Sequence, residues 1–346
     1  MMEIQLKLLK AVAPDLIGEI KKRYQILRSI YWMQPVGRRT LAEALGVTER
    51  ILRKETDTLK SLQLVTASKS GMSLTEKGLK LVHELTPVID SLSEREETEQ
   101  HLAKFLGNRQ CIVLSEDGDE RPQIFERFGQ TVTELLDKSL PLGRNVIAVM
   151  GGTTMAQLAK NMGDLTHPGR FNMFVPARGG IGEAIDIQAN AVSATMALKT
   201  GGTHRALYVP EHVSPETYES LLHEPSIEEV LFLIDSANCV IHSIGRALHM
   251  AARRHMSPKI IAALKKDGAV SESFGYFFDA KGKVVYKIPR IGLQLEDLKK
   301  IPLVVAVAGG KSKALAIKAY MKNAPKHTIL VTDEGAAKEI LKGTTL

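Results

Sequence analysis

The sequence predicts an α/β protein, with an N-terminal winged helix-turn-helix domain followed by a larger, doubly wound, mostly parallel α/β domain. Three observations predict it. Residues 1–85 carry 15 Lys and Arg against 9 Asp and Glu, whereas the rest of the chain is nearly balanced at 31 against 30. The same first quarter holds two helical patterns separated by Gly46 and then a short alternating hairpin. From Arg109 onward, short β-branched runs alternate with helical segments, as in a parallel sheet covered by helices on both faces.

Composition sets the frame. The 346 residues, 44% hydrophobic and 25% charged, suit a globular chain of two or three domains. Cys111 and Cys239 stand far apart in apolar runs, which argues against a disulfide scaffold or a structural zinc site. No stretch approaches the ~20 apolar residues of a membrane span and no secretory leader is visible, so a cytoplasmic protein without a membrane partner is expected.

In the head, Leu16, Ile20, Leu27 and Ile30 fall on one helical stripe after Pro14-Asp15. Arg38–Leu45 reads as a short helix, Gly46 as a tight turn, and Thr48 as the cap of a second helix with Glu49 in its first turn. Leu41, Leu45 and Val47 should pack inward, with Leu52, Thr56, Leu59 and Leu62 of the second helix. That spacing leaves Arg50, Arg53 and Lys54 on the outer face near the helix start, where a recognition helix meets the major groove. Arginine there can take guanine bidentate, while Arg38, Arg39 and Lys60 are placed for phosphates, which position without specifying. Leu64–Ser68 and Met72–Leu74 flank a turn at Lys69-Ser70-Gly71, forming a wing with Lys69 at its tip. A basic three-helix domain that binds another protein is the competing reading. The head is assigned to residues 1–86, and Ser- and Glu-rich residues 87–107 to a linker helix ending in a hinge near Gly107.

In the body, residues 108–346, strands are expected at Cys111–Ser115, Asn145–Met150, Phe171–Val175, Arg205–Val209, Cys239–Ile244, Leu303–Ala308 and Thr328–Thr332, with a small antiparallel insertion at Tyr276–Lys287. Ligands of such sheets bind beyond the carboxyl ends of strands. Five of those ends are chemically suggestive, among them Val331-Thr332 running into Asp333-Glu334-Gly335. Val149-Met150 runs into Gly151-Gly152-Thr153-Thr154 and a helix start, offering backbone N–H groups and hydroxyls to an anion. Val175-Pro176 runs into Ala177-Arg178-Gly179-Gly180, and Val307-Ala308 into Gly309-Gly310-Lys311-Ser312-Lys313. Ile244 runs into Gly245-Arg246. Three loops pairing two glycines with Thr, Arg or Lys point to a phosphate-bearing ligand, and the lack of a Walker or GxGxxG pattern disfavours a nucleotide. Asp117-Gly118-Asp119-Glu120 reads as a polar loop, His242 as a packed core residue, and no GxSxG elbow or HExxH pattern occurs. The body therefore offers ligand binding without a committed acid/base set and without a cofactor.

The Gly37-Arg38-Arg39 head, the Gly151–Thr154 loop, Phe-Val-Pro-Ala-Arg-Gly-Gly at 174–180 and Thr-Asp-Glu-Gly-Ala-Ala-Lys at 332–338 resemble the SorC/DeoR class of bacterial sugar-responsive regulators over nearly the whole chain. The resemblance implies a repressor of a glycolytic operon, bound to double-stranded operator DNA as paired dimers forming a tetramer. It implies release by fructose-1,6-bisphosphate, and a sensor domain shaped like sugar-phosphate isomerases and deaminases with catalysis lost. Carried over, the effector contacts fall on Thr153, Thr154, Arg178, Gln188, Arg253 and Glu272. Gln188, Arg253 and Glu272 rest on the resemblance alone, and the Arg253-Arg254 pair leaves the register of that arginine open. A bisphosphate needs two anion sites, which the 151–154 and 309–313 loops are expected to supply with Arg178 between, Gly179 beside it and Glu272 accepting sugar hydroxyls. The competing function is an active sugar-phosphate isomerase or deaminase carrying a DNA-binding domain. A third keeps the repressor and changes the effector to a monophosphate or free sugar.

Overall fold

A computed structural model describes residues 14–92, 95–121, 123–179, 184–209, 215–289 and 291–343. The chain divides into two compact units, with the boundary between Glu97 and Thr98.

The first unit contains α1 (Pro14–Met33), α2 (Arg38–Leu45), α3 (Glu49–Ser61), the hairpin β1 (Val65–Ser68) and β2 (Gly71–Leu74), and α4 (Glu76–Leu92). Tyr24, Leu27, Ile30, Leu41, Leu52, Leu59, Val65, Met72 and Val82 make its core. The turn between α2 and α3 follows from sequence. Gly46 ends α2 in the left-handed conformation (φ 63°), and the Thr48 hydroxyl accepts the Ile51 N–H at 3.4 Å to cap α3. Two side chains expected inside are exposed. Leu16 is 55% exposed because the buried stripe of α1 begins a turn later. Leu62 is 46% exposed because α3 stops at Ser61 and Gln63 turns the chain (φ 59°), which sends Leu64 inward instead. Thr56 is fully buried, and its hydroxyl donates to the Arg53 carbonyl at 3.1 Å, so its polarity is satisfied within the helix.

α4 runs to Leu92, α5 covers Arg95–Leu106, and Gly107 (φ 71°) follows it. Leu102 of α5 is buried in the core of the second unit, and the Glu99 carboxylate accepts the Val113 N–H at 2.7 Å.

The second unit has the following order: β3 (Gln110–Leu114), α6 (Ile124–Ser139), β4 (Gly143–Val149), α7 (Thr153–Lys160), β5 (Arg170–Pro176), α8 (Ala189–Thr200), β6 (Thr203–His204), α9 (Pro215–Leu222), α10 (Pro225–Asp235), β7 (Cys239–Ser243), β8 (Gly245–Arg246), α11 (Ala247–Arg253), α12 (Pro258–Lys266), β9 (Ala269–Ser273), β10 (Tyr276–Asp279), β11 (Val284–Lys287), β12 (Leu303–Val307), α13 (Ala314–Met321), β13 (Ile329–Asp333) and α14 (Glu334–Leu341). Seven strands pair in the order β3-β13-β12-β7-β4-β5-β6, parallel throughout. Apolar cores lie on both faces, one holding Ala148, Val175, Val240 and Val304, the other Ile147, Val149, Ile241 and Val305. Successive residues of one strand thus serve opposite faces, which is why these strands are apolar in long unbroken runs.

Two expectations fail in detail. Arg205–Val209 is not a strand, since β6 ends at His204; Asn190 instead holds Leu207 through its side chain, donating to the Leu207 carbonyl and accepting its N–H at 3.0 Å each. The insertion is larger than the Tyr276–Lys287 hairpin, being an antiparallel sheet ordered β11-β10-β9-β8. The polar run Ser271-Glu272-Ser273 in β9 has the composition of a loop, yet all three residues are buried.

The order of the main sheet fixes where a ligand site can form. From β4 the chain winds outward through β5 and β6, then returns to β7 on the other side and winds outward through β12 and β13. The neighbours β4 and β7 therefore form the topological switch point, where loops leave in opposite directions and open a crevice beyond the carboxyl ends.

Candidate functional site

The loop after β4 lies at that crevice. Gly152 has φ 126° and ψ 161°, a conformation open essentially to glycine alone, and it precedes the first turn of α7. A Cβ at Gly151 would stand 2.5 Å from the Ile187 carbonyl oxygen and 3.1 Å from the Gln188 carbonyl carbon. The loop is therefore wedged against the segment entering α8, and Gln188, distant in sequence, is its neighbour. Thr154 is buried and Thr153 exposed.

From the other side, a Cβ at Gly152 would stand 3.5 Å from Ser243 Oγ, at the end of β7, and 3.8 Å from Arg253 Nη2. Lys313 Nζ donates to Thr154 Oγ1 at 3.1 Å. The loops after β4 and β12 therefore meet at one point and do not form the two separate anion sites expected from sequence. The cause is the sheet order, which brings both loops over the β4–β7 crevice. The electrostatics agree. Burial pushes the pKa of the Lys313 ammonium down to about 8, opposed by Asp119 and Asp333 and assisted by Arg246 and Arg253. His249 is held below its ordinary value by burial and then by Arg246, Arg253 and Lys313. A cluster of cations with a hydroxyl and a helix start is suited to a phosphate dianion.

The backbone of the Gly309–Lys313 loop is already engaged. Gly310 N–H donates to Asp333 Oδ2, Lys311 N–H to Asp117 Oδ1 at 3.1 Å, and Ser312 N–H and Oγ–H to the two oxygens of Asp119 at 2.7 and 3.0 Å. A Cβ at Gly310 (φ 98°) would stand 2.5 Å from Asp119 Oδ1. The glycine there makes room for the protein's own carboxylates, so this loop contributes its Lys313 side chain rather than an amide cradle. Asp117 and Asp119 are thus structural carboxylates.

One strand over, Ala177 N–H donates to Val149 O at 2.8 Å, so Arg178 leaves the sheet beside the β4 loop. Arg178 is 7% exposed, pairs across a bridge with Gly292, and is followed by Gly179, whose N–H donates to the Ile291 carbonyl at 3.2 Å. Gly180 lies outside the described residues. The two adjacent arginines face different neighbours. Arg253 faces Gly152, whereas Arg254 is buried and pairs with Glu272 at 3.0 Å, where Glu272 Oε1 also accepts the Gly275 N–H at 2.7 Å. Arg246 was singled out from sequence at a strand end, whereas Ser243 and His249 were not. Arg246 lies in β8, directly after β7.

In the head, Glu49, Arg50, Arg53 and Lys54 are exposed on the first two turns of α3, opposite buried Leu52, Glu55, Thr56 and Leu59. Lys69 is exposed at the β1–β2 turn and Arg38 half-buried at the start of α2. Exposed Arg39 pairs with Glu43 at 3.2 Å, and half-buried Lys60 reaches Asp57 at 3.7 Å. Glu55 fixes the pose of α3 by accepting from Lys22 Nζ at 2.8 Å and Arg23 Nε at 3.1 Å on α1.

The family model described as "Putative sugar-binding domain" matches residues 90–342, and the one described as "CggR N-terminal DNA binding domain" matches residues 20–89. The chain is 44% identical to a central glycolytic genes regulator of Priestia megaterium, over 99% of this chain and 98% of that one. It is 42% identical to a central glycolytic genes regulator of Bacillus subtilis, over 96% and 97%. A SorC-family transcriptional regulator from Enterococcus faecalis, of known structure, is 63% identical with a TM-score of 0.69, covering 71% of this chain and all of that one. The chain belongs to the SorC family of sugar-responsive transcriptional regulators. In SorC terms, the first unit is the DNA-binding domain and the second the sugar-binding domain, and the chain is a regulator rather than an enzyme. Full-length SorC of Klebsiella pneumoniae, at 17% identity and a TM-score of 0.65, shares the fold over 93% of this chain. Among the described residues, no helix is long and apolar enough to cross a membrane.

Proposed function

We propose that this SorC-family chain is a cytoplasmic repressor of glycolytic genes, released from operator DNA by a phosphorylated sugar, with fructose-1,6-bisphosphate as the effector. The observation that carries the reading is the convergence of Gly152, Thr154, Arg253 and Lys313 at the β4–β7 switch point, a phosphate site built from three separate segments. Arg178 and Gly179, one strand over, are the second basic position, suited to the other end of a bisphosphate. Gly151, Thr153 and Gln188 line the first site; Glu272, expected to accept sugar hydroxyls, instead has Oε1 engaged by Arg254 and the Gly275 N–H. The names of the 44% and 42% identical relatives supply the glycolytic context.

In the head, α3 enters the major groove with Arg50, Arg53 and Lys54 toward base edges, while Thr48 sets the helix start. Arg38, Arg39 and Lys69 contact the backbone. Dimers, paired into a tetramer, engage successive half-sites, and effector binding changes subunit contacts rather than the DNA-reading surface.

The test is thermal unfolding with millimolar fructose-1,6-bisphosphate, fructose-6-phosphate or inorganic phosphate. A ligand at about 100 times its Kd stabilises its domain by about 2.7 kcal/mol, a shift of a few degrees. The bisphosphate alone is expected to give the large shift. An equal shift with the monophosphate would reassign the effector, and no shift with any of them would refute the site.

A further inference from the structure

We propose that Ile51 is a specificity-determining residue that reads the 5-methyl group of a thymine in the operator's major groove. The inference rests on α3 being the recognition helix and adds what that helix recognises.

Ile51 is 44% exposed and takes no part in the hydrophobic core of the head. Its neighbour Leu52 is completely buried, so the helix has turned the adjacent apolar side chain inward and left this one in water. Ile51 sits in the first turn of α3, with its own N–H donated to the Thr48 cap at 3.4 Å. That places it where recognition helices meet base edges. Around it, Glu49, Arg50, Arg53 and Lys54 are all exposed and charged, so Ile51 is the single apolar group on the exposed surface of the first two turns.

A single exposed aliphatic residue on an arbitrary surface has no meaning. This one lies on the face that DNA covers, and that context limits its partner. A major-groove edge offers hydrogen-bond donors and acceptors at every base pair, and a branched aliphatic side chain satisfies none of them. Only thymine presents a methyl group there. Residues 50 and 51 are about 100° apart around the helix, so a thymine met by Ile51 lies within one or two base pairs of a guanine met by Arg50.

The experiment uses the full chain and duplexes selected from a randomised library, in parallel with Ile51→Ala and Ile51→Val. The wild-type chain is expected to enrich a site with a fixed thymine in each half-site. Replacing that thymine by uracil, which removes only the methyl group, should weaken wild-type binding about fourfold, the size of one buried methyl group. Ile51→Ala should bind the thymine and uracil duplexes equally and lose that preference in selection, while Ile51→Val keeps both. Because the side chain is exposed, unchanged thermal unfolding of both variants shows that the head remains folded. If Ile51→Ala enriches the same thymine, or uracil costs the wild type nothing, the inference is overturned while DNA recognition by α3 stands. If no duplex is enriched by the wild-type chain, the reading of α3 falls and the inference with it.

Discussion

Binding of a sugar phosphate should take up a proton at mildly alkaline pH, and Lys313 is the reason. Its ammonium donates to Thr154 Oγ1, and burial pushes its pKa to about 8. A phosphate dianion arriving beside it favours the charged form and raises that value. The sign follows from linkage: below pH 8 the lysine is already charged and binding moves no proton, whereas above it the ligand must bind a proton with itself. At pH 9 about ten in eleven lysines are neutral before binding, so affinity should fall about tenfold between pH 7 and pH 9, or about 1.4 kcal/mol. The ligand adds little to this slope, because the second phosphate ionisation, near pH 6, is complete over most of that range. Isothermal titration with fructose-1,6-bisphosphate at several pH values, each in two buffers of different ionisation enthalpy, reads affinity and proton uptake together. Lys313→Arg should flatten the slope, and Lys313→Met should bind weakly at every pH. An affinity that stays constant from about pH 7 to 9.5 in the wild type would refute the coupling of Lys313 ionisation to binding, and unchanged affinity in Lys313→Met would refute its placement at the ligand.

The same geometry sets outcomes for other substitutions. Arg253→Gln should weaken sugar-phosphate binding by at least about tenfold with little change in stability, whereas Arg254→Gln, which strands the buried Glu272 carboxylate, should cost about 3–5 kcal/mol by urea unfolding. In the head, Glu55→Gln should cost about 1–2 kcal/mol, read from the fluorescence of the single tryptophan, Trp32. Glu55 is held below its ordinary value, chiefly by the Lys22 hydrogen bond, so its contribution is full above about pH 4.5 and is lost as pH falls. His242 is fully buried, donating and accepting between Ser273 Oγ and Tyr320 Oη at 3.2 Å each, and burial pushes its pKa down to about 4. The unfolded chain takes up this proton first, so the sensor domain should keep full stability above about pH 6.5 and lose up to about 3 kcal/mol by pH 4, measured by circular dichroism and flattened in His242→Gln. Asp119→Ala should loosen the Gly309–Lys313 loop and weaken phosphate binding through Lys313, and unchanged affinity would show that the loop holds itself.

Much of this was legible before any coordinates because the signals are local. The Gly46 turn, the Thr48 cap and the alternation around Lys69-Ser70-Gly71 depend on neighbouring residues, and they place the exposed basic face of α3 by helical period alone. The apolar strands announced themselves because parallel strands are buried on both faces. What stayed hidden depends on strand order. The sequence cannot show that β4 and β7 are neighbours, so the Gly151–Thr154 and Gly309–Lys313 loops read as two separate positions when they meet at one. Gly309-Gly310 looked like a ligand cradle because a glycine that makes room for Asp119 is indistinguishable, as a letter, from one that makes room for phosphate. Arg253 and Arg254 separate only when α11 is set against β9, which gives one to the crevice and the other to Glu272. Leu62 was misplaced by a helix that ended one residue early.

A phosphorylated sugar in the β4–β7 crevice is proposed to control DNA binding by the head. Fluorescence anisotropy of a duplex selected by the full chain, titrated with fructose-1,6-bisphosphate and separately with fructose-6-phosphate, tests this most directly. The bisphosphate is predicted to release the duplex or abolish cooperative binding to paired half-sites, and the Arg253→Gln and Lys313→Met chains should bind the same duplex normally but no longer respond. Duplex binding that is indifferent to every sugar phosphate, or a response that survives both substitutions, would contradict it.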